Sequence, residues 1–167
     1  ILRTLDCGGM VPHAGTGREI DPHELLTIDC DVLAPAALGG VITDDVATAM
    51  QASIVLEGAN GPTTDSAEAI LEQRGVTVLP DVLANAGGVV GSFFEWYLNR
   101  TGGRWDLNQH DAELAQVLHD AYVGVRNAAE EYGCSFRQAA FTVAVQRVRV
   151  ARRQHLTLVD RAVARAA

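Results

Sequence analysis

Residues 53–80 read SIVLEGANGPTTDSAEAILEQRGVTVLP, and this stretch decides the fold. Ser53-Ile54-Val55-Leu56 is a short apolar run, closed by the small and polar residues Glu57 to Pro62. Asp65, followed three residues later by Glu68, has the form of a capping box and predicts a helix start there. The helix carries Ala69, Ile70 and Leu71 and stops at Gly75, a residue suited to a left-handed C-terminal turn. Val76-Thr77-Val78-Leu79 is a second apolar run, ended by Pro80. Strand, helix and strand at this spacing imply a parallel pair joined by a crossover helix.

The same alternation extends upstream. Asp31-Val32-Leu33-Ala34 is an apolar run ended by Pro35, and Asp44 to Met50 reads as one or two helical turns. Short apolar strands separated by helices predict a parallel sheet covered on both faces. Ligands of such sheets bind beyond the carboxyl ends of the strands. Three segments lie at those ends: Ala34 to Ala37, Glu57 to Asn60 and Asp81 to Gly88. Downstream the chain reads as helical. Val89 to Asn99 gathers Phe93, Phe94, Trp96 and Tyr97. Asp111 to Tyr132 repeats apolar residues at helical spacing and ends at Gly133. Ser135 then caps a last helix, with Gln138 as its capping-box partner. The reading divides the chain into a partial dinucleotide-binding domain, 1–103, and a C-terminal helical segment packed on it, 104–167.

Composition narrows the chemistry. With 48% hydrophobic and 20% charged residues among 167, the chain has a globular balance and enough length for a core. A net charge of -8 argues against nucleic acid as a partner. No apolar run approaches the roughly 20 residues of a membrane helix. The 13 basic residues are all arginine, so this polypeptide holds no P-loop lysine, Schiff-base lysine or lysine general base. Six of those arginines follow Phe141 with one acid, Asp160, and this basic end reads as a solvated or subunit-facing helix. The 3 cysteines, Cys7, Cys30 and Cys134, form no CxxC pair and no zinc pattern, which suits reduced thiols in a cytoplasmic protein. The chain starts at Ile1 without a basic segment, apolar stretch and cleavage site, which reads as a fragment boundary. It contains no GxGxxG, and His13 to Gly17 has no strand leading into it. The first strand and phosphate turn of a dinucleotide fold are therefore expected upstream of Ile1.

Four stretches taken together resemble the glutamate dehydrogenase family, the group that also acts on leucine, phenylalanine and valine. They are Cys30 to Leu38, Glu57 to Thr64, Pro80 to Val89, and Ser92-Phe93-Phe94-Glu95-Trp96, and they occur in the family's order. Ser135 to Arg149 is similar to the family's closing helices. The resemblance covers most of the chain from about Glu24 onward and less than half of a full family subunit. It implies an α/β fold: the second half of a Rossmann-like doubly wound parallel sheet, followed by C-terminal helices.

The resemblance also implies site residues. Asn60 matches an asparagine beside the nicotinamide ribose, and Asn85 one that bonds the carboxamide of the ring. An uncharged amide offers a donor and an acceptor for both tasks. Pro35 and Ala36 match positions along the cofactor's sugar. Ser92 matches the residue that bonds the side-chain carboxylate of glutamate, and Val89 lines the same pocket. Gly39-Gly40 departs from the glutamate enzymes, which usually carry an acid there, and leans toward the branched-chain relatives. By the same resemblance Asp6 is matched to the acid that bonds the ribose hydroxyls, which leans the cofactor, NAD or NADP, toward NAD.

The activity so implied is oxidative deamination of L-glutamate to 2-oxoglutarate and ammonia, in a cytoplasmic homo-oligomer, a hexamer by resemblance. The family's catalytic lysines and aspartate belong to an N-terminal domain that this sequence does not match, so the isolated chain is expected to be inactive. Two alternatives stand beside it. One is a non-catalytic module that binds or oligomerises. The other is part of a leucine- or phenylalanine-type dehydrogenase. Half a sheet would also leave an edge and an apolar face open, which predicts marginal stability or self-association.

Overall fold

The computed structural model describes residues 20–166, with side chains through residue 154. Asp6, the glycine-rich opening and His13 to Gly17 lie outside the described residues. Three parallel strands form one sheet in the order β1-β2-β3: β1 Val32–Leu33, β2 Ile54–Leu56 and β3 Thr77–Leu79. The register pairs Leu33 with Val55 and Val55 with Val78, so these three share one face. Helix α1 (Pro22–Leu26) precedes β1, α2 (Asp44–Ala49) joins β1 to β2, and α3 (Asp65–Gln73) joins β2 to β3. After β3 come α4 (Asp81–Ala84), α5 (Gly87–Thr101), α6 (Leu107–Tyr132) and α7 (Phe136–Ala166). This is the Rossmann-like half-sheet with C-terminal helices that the sequence predicts.

Local chemistry explains the boundaries, with one correction. The N-cap of α3 is Thr64, not Asp65: its hydroxyl accepts from the Ala67 amide at 3.2 Å. Asp65 and Glu68 stand in the first turn, where negative charge suits the helix dipole. Glu68 is spent on a distant arginine, described below. Gly75 (φ +74°) ends the helix as expected, and Gly133 (φ +59°) does the same for α6. The long helix α6 begins earlier than its apolar repeat indicates, because Asp106 and Gln109 form a reciprocal capping box. At α7 the Ser135–Gln138 capping box is present as predicted, with both bonds at 3.3 Å.

The core sits on one face of the sheet. Ile42, Val46, Ala47, Met50, Ala52, Val55, Ala67 and Leu71 form a buried cluster between α2, α3 and β2. Arg74, just past α3, clamps this layer by donating to the carbonyls of Ala47 and Met50 at the end of α2. A second cluster, Val125, Ala128, Ala139 and Ala140, joins α6 to α7, with Leu83 of α4 packed against it. The opposite face of the sheet is less covered than predicted. Val32 is 49% exposed, Ile54 36% and Leu56 37%. On α5 the aromatic run splits: Phe94 is buried against Trp105 and His110, while Phe93, Trp96 and Tyr97 form an exposed ring cluster. No helix among the described residues is long and apolar enough to cross a membrane.

Candidate functional site

Where the strands end, the chain is folded tightly on itself. The carbonyl of Pro35, past β1, accepts from the amides of Gly58 and Ala59, past β2, at 3.0 and 2.8 Å. A Cβ on Gly58 would lie 3.0 Å from the Cβ of Ala36, so the small residues there are a packing requirement. Farther along, Gly40 and Ile42 donate to Gly61 and Pro62, and Thr64 donates back to Ile42. A Cβ on Gly39 would sit 2.9 Å from the Asn60 carbonyl oxygen. The Gly39-Gly40 pair thus has a local reason: the chain must pass close beneath the Asn60 loop.

Asn85, at the end of α4, donates through Nδ2 to Asn60 Oδ1 at 2.7 Å and to the Gly58 carbonyl at 3.4 Å. Those bonds occupy both Asn85 N–H groups and leave its Oδ1 to accept. They leave the Nδ2 of Asn60 to donate. The pair therefore keeps an acceptor on Asn85 and the amide donors of Asn60. Both asparagines line an open cleft of about 630 Å³ together with Ala37, Leu38, Gly39, Gly58, Ala59 and Val89.

Beneath this cleft lies a charged network. The Glu57 carboxylate is fully buried and is held by Arg137, whose Nη2 donates to both oxygens at 2.8 Å. One of those oxygens also accepts from the Asp81 amide at 2.8 Å. Arg137 reaches Glu68 through Nε at 2.6 Å and Asp81 through Nη1 at 3.2 Å. The Asp81 carboxylate in turn accepts from Gly61 at 2.8 Å and Val82 at 2.7 Å. Burial alone would push the Asp81 carboxyl up. The Gly61 and Val82 amides and the Arg137 charge outweigh that and hold it below the usual carboxylate range. Burial likewise opposes the charge on Arg137, but Glu57 and Glu68 raise its affinity for the proton.

The structure therefore brings Asn60, Asn85 and Val89 to one cleft. Pro35 and Ala36 lie beside it, within reach of Gly58, and also border a neighbouring apolar groove of about 350 Å³ with Leu25, Leu33 and Val41. Ser92 is one helical turn past Gly88, exposed, and donates to the Gly88 carbonyl at 3.0 Å. It does not line the cleft. Sequence reading placed Glu57, Glu68 and Asp81 in motifs or helix starts without linking them to Arg137. The available signal was Glu57 itself: an acid directly after three apolar strand residues needs a buried cation.

Comparison with known proteins agrees with this fold. The family described as Glutamate/Leucine/Phenylalanine/Valine dehydrogenase matches residues 7–155. The chain is 44% identical over 144 residues to the NADP-specific glutamate dehydrogenase A1 of Halobacterium salinarum, covering 86% of this chain and 34% of that protein. It is 47% identical over 129 residues to the NAD-specific glutamate dehydrogenase A of the same organism, covering 77% of this chain and 30% of that one. The crystal structure of the hetero-hexameric glutamate dehydrogenase from Thermus thermophilus, in its Leu-bound form, superposes with a TM-score of 0.84. It is 28% identical, and the match covers 92% of this chain and 36% of that one. The chain thus spans about a third of the length of the relatives it matches. A parallel half-sheet, paired asparagines at its carboxyl edge and a profile match over most of the sequence lead to one conclusion: the chain belongs to the Glu/Leu/Phe/Val dehydrogenase family.

Proposed function

We propose that this chain forms the nicotinamide-facing part of a glutamate dehydrogenase, in which L-glutamate and water are converted to 2-oxoglutarate and ammonia as NAD or NADP is reduced. The observation that carries the reading is the Asn60–Asn85 pair at the cleft. Its donor and acceptor are complementary to a carboxamide, which has one of each on one edge. A bound nicotinamide supplies the hydride acceptor. Asn85 fixes the plane and rotation of the ring through its carboxamide, and Asn60 lies beside the ribose and holds Asn85 in place. Gly58 and Ala36 keep the adjoining wall thin enough for a sugar to approach, and Val89 lines the substrate side of the cleft.

Orientation of this kind is the chain's contribution to rate. With no lysine, it has no amine to polarise the substrate or move its proton. The reading gives that work to the family's lysines and aspartate, in the domain this sequence does not match, and takes the 167-residue chain alone to be inactive. It takes residues 104–167 as a helical segment packed on the cofactor domain, and the whole protein as a cytoplasmic homo-oligomer, a hexamer by family resemblance, where the Thermus thermophilus neighbour is a hetero-hexamer. The lean toward NAD rests on Asp6 and is tested by comparing the two cofactors, since relatives of both specificities match.

Ser92 carries the preference for glutamate. Its single hydroxyl hydrogen is spent on Gly88 here, so holding a substrate carboxylate requires it to rotate away. The same observation favours the second reading, a dehydrogenase for apolar amino acids, in which that rotation is never needed. The test is a chimera: the matching 129 residues of this chain replace their counterpart in the NAD-specific Halobacterium salinarum enzyme. Turnover of glutamate well above leucine is the expected result. Faster turnover of leucine would sink the role given to Ser92, and cofactor binding left unchanged by Asn85→Ala would sink the role given to the asparagines.

A further inference from the structure

Arg137 belongs to the first turn of α7, far in sequence from the cleft, yet its guanidinium touches the start of both segments that carry the paired asparagines. It grips Glu57, the residue before Gly58, with a two-oxygen contact at 2.8 Å. It contacts Asp81 at 3.2 Å, where the segment carrying Asn85 begins, and Glu68 of α3 at 2.6 Å. Glu57 and Asp81 are themselves tied, because the Asp81 amide donates to Glu57. Asp81 then reaches up to the amide of Gly61, the neighbour of Asn60. Thus two routes run from Arg137 to the asparagine pair: through Glu57 to Gly58, and through Asp81 to Gly61 and to the helical turn ending at Asn85.

We propose that Arg137 is a positioning residue for cofactor binding: from the C-terminal helix it sets the separation of the β2 and β3 loops, and so the distance between Asn60 and Asn85. The planar guanidinium suits the task. It offers five donors in fixed directions, and three of its nitrogens already point to three different carboxylates. A lysine in its place would supply the charge without the spacing. Because Glu57 is fully buried, the Glu57 arm of the clamp is insulated from solvent. The proposal rests on the reading of Asn60 and Asn85 as nicotinamide ligands.

The test uses the chimera described above with three changes: Arg137→Lys, Asn85→Ala and the two combined. Expected for Arg137→Lys is a rise in KM for the cofactor of about tenfold or more, as loosened positioning predicts, with KM for glutamate within twofold of the parent. Asn85→Ala raises the cofactor KM similarly, and the double variant is no worse than Asn85→Ala, because Arg137 acts through that side chain. A purely structural arginine behaves otherwise: the melting temperature falls, the folded fraction keeps its cofactor KM, and the two changes multiply. That result overturns the proposal while leaving the asparagine reading intact. An Asn85→Ala variant with unchanged cofactor KM overturns the asparagine reading itself. Should Arg137→Lys not fold, Asp81→Asn severs one of the two routes with less charge buried, and the same KM comparison applies.

Discussion

Removing Arg137 should cost far more stability than neutralising Glu57, although the two share one ion pair. In Arg137→Met the buried Glu57 carboxylate loses both guanidinium bonds and keeps the single bond from the Asp81 amide. An uncompensated charge in a dry site costs about 3–5 kcal/mol. In Glu57→Gln the arginine keeps Glu68 at 2.6 Å and Asp81 at 3.2 Å, and those side chains are 19% and 21% exposed, so water shares the load. Glutamine also keeps one carbonyl oxygen to accept from Arg137 or from the Asp81 amide. The cost there is about 1–2 kcal/mol, the value of weakening a charged hydrogen bond. The double variant has no buried charge left at position 57. It should fall short of the summed losses by about 1–3 kcal/mol.

The assay is equilibrium unfolding of the four proteins in urea at pH 7, read by far-ultraviolet circular dichroism and by tryptophan fluorescence, with free energies from linear extrapolation. Two outcomes refute the reasoning. One is an Arg137→Met protein within about 1 kcal/mol of the parent, which would mean that Glu57 finds water or a proton cheaply. The other is strict additivity, which would mean that the two side chains do not interact in solution. If Arg137→Met has no folded baseline, Arg137→Lys serves in its place, with an intermediate loss because one donor group replaces the fork.

Three further outcomes follow from the same coordinates. Gly39→Ala places a methyl 2.9 Å from the Asn60 carbonyl and should destabilise by about 1–3 kcal/mol, read as a lowered urea midpoint at unchanged m-value; a neutral result would mean that the loop is free to move. The Asp81 carboxyl is held below its ordinary range, so its contribution is complete above the unfolded value of about 3.9 and is lost as pH falls through the lower folded value; the acid limb of a melting-temperature profile should be shallower in Asp81→Asn. Ile54→Thr and Leu56→Thr should each change stability by less than about 1 kcal/mol while reducing self-association of the chain in sedimentation, because both residues lie on the less-covered face of the sheet. A parent chain that sediments as a monomer at high concentration would remove the basis of that last expectation.

What could be read in the sequence, and what could not, divides along contact distance. The strands and their ends were legible because each needs only neighbours: apolar runs at 54–56 and 77–79, stopped by a glycine-rich turn and a proline. Asn60 and Asn85 were singled out from contiguous motifs, and the structure places their side chains 2.7 Å apart in the wall of one cleft. Capping was legible to within a residue at α3 and α7, while the Asp106 cap of α6 lay ahead of the apolar repeat read from Asp111. Asp65 competes with Thr64 for the same role, and the hydroxyl wins because only residue 64 has the extended backbone of a cap (ψ 155°). Coverage of the sheet was misjudged on one face, since an apolar run states that a strand can be buried on both sides and not that it is. Ser92 was placed from its motif alone, and its hydroxyl is found on its own helix.

Arg137 escaped for a physical reason. In sequence it is one polar residue after a helix cap, like many on solvated helix faces, and its partners lie 56, 69 and 80 positions away. Nothing local distinguishes it. Only the partner side of the contact leaves a trace: Glu57 stands at the end of a buried strand where an unpaired carboxylate could not remain. The general consequence is an asymmetry in how such a site is encoded. The groups proposed to meet the ligand sit in short motifs because a turn must aim them, whereas a group that bridges two turns has to come from another element. In this chain that element is α7, the helix most remote in sequence from the cleft, which reaches Glu57 and Asp81 through Arg137.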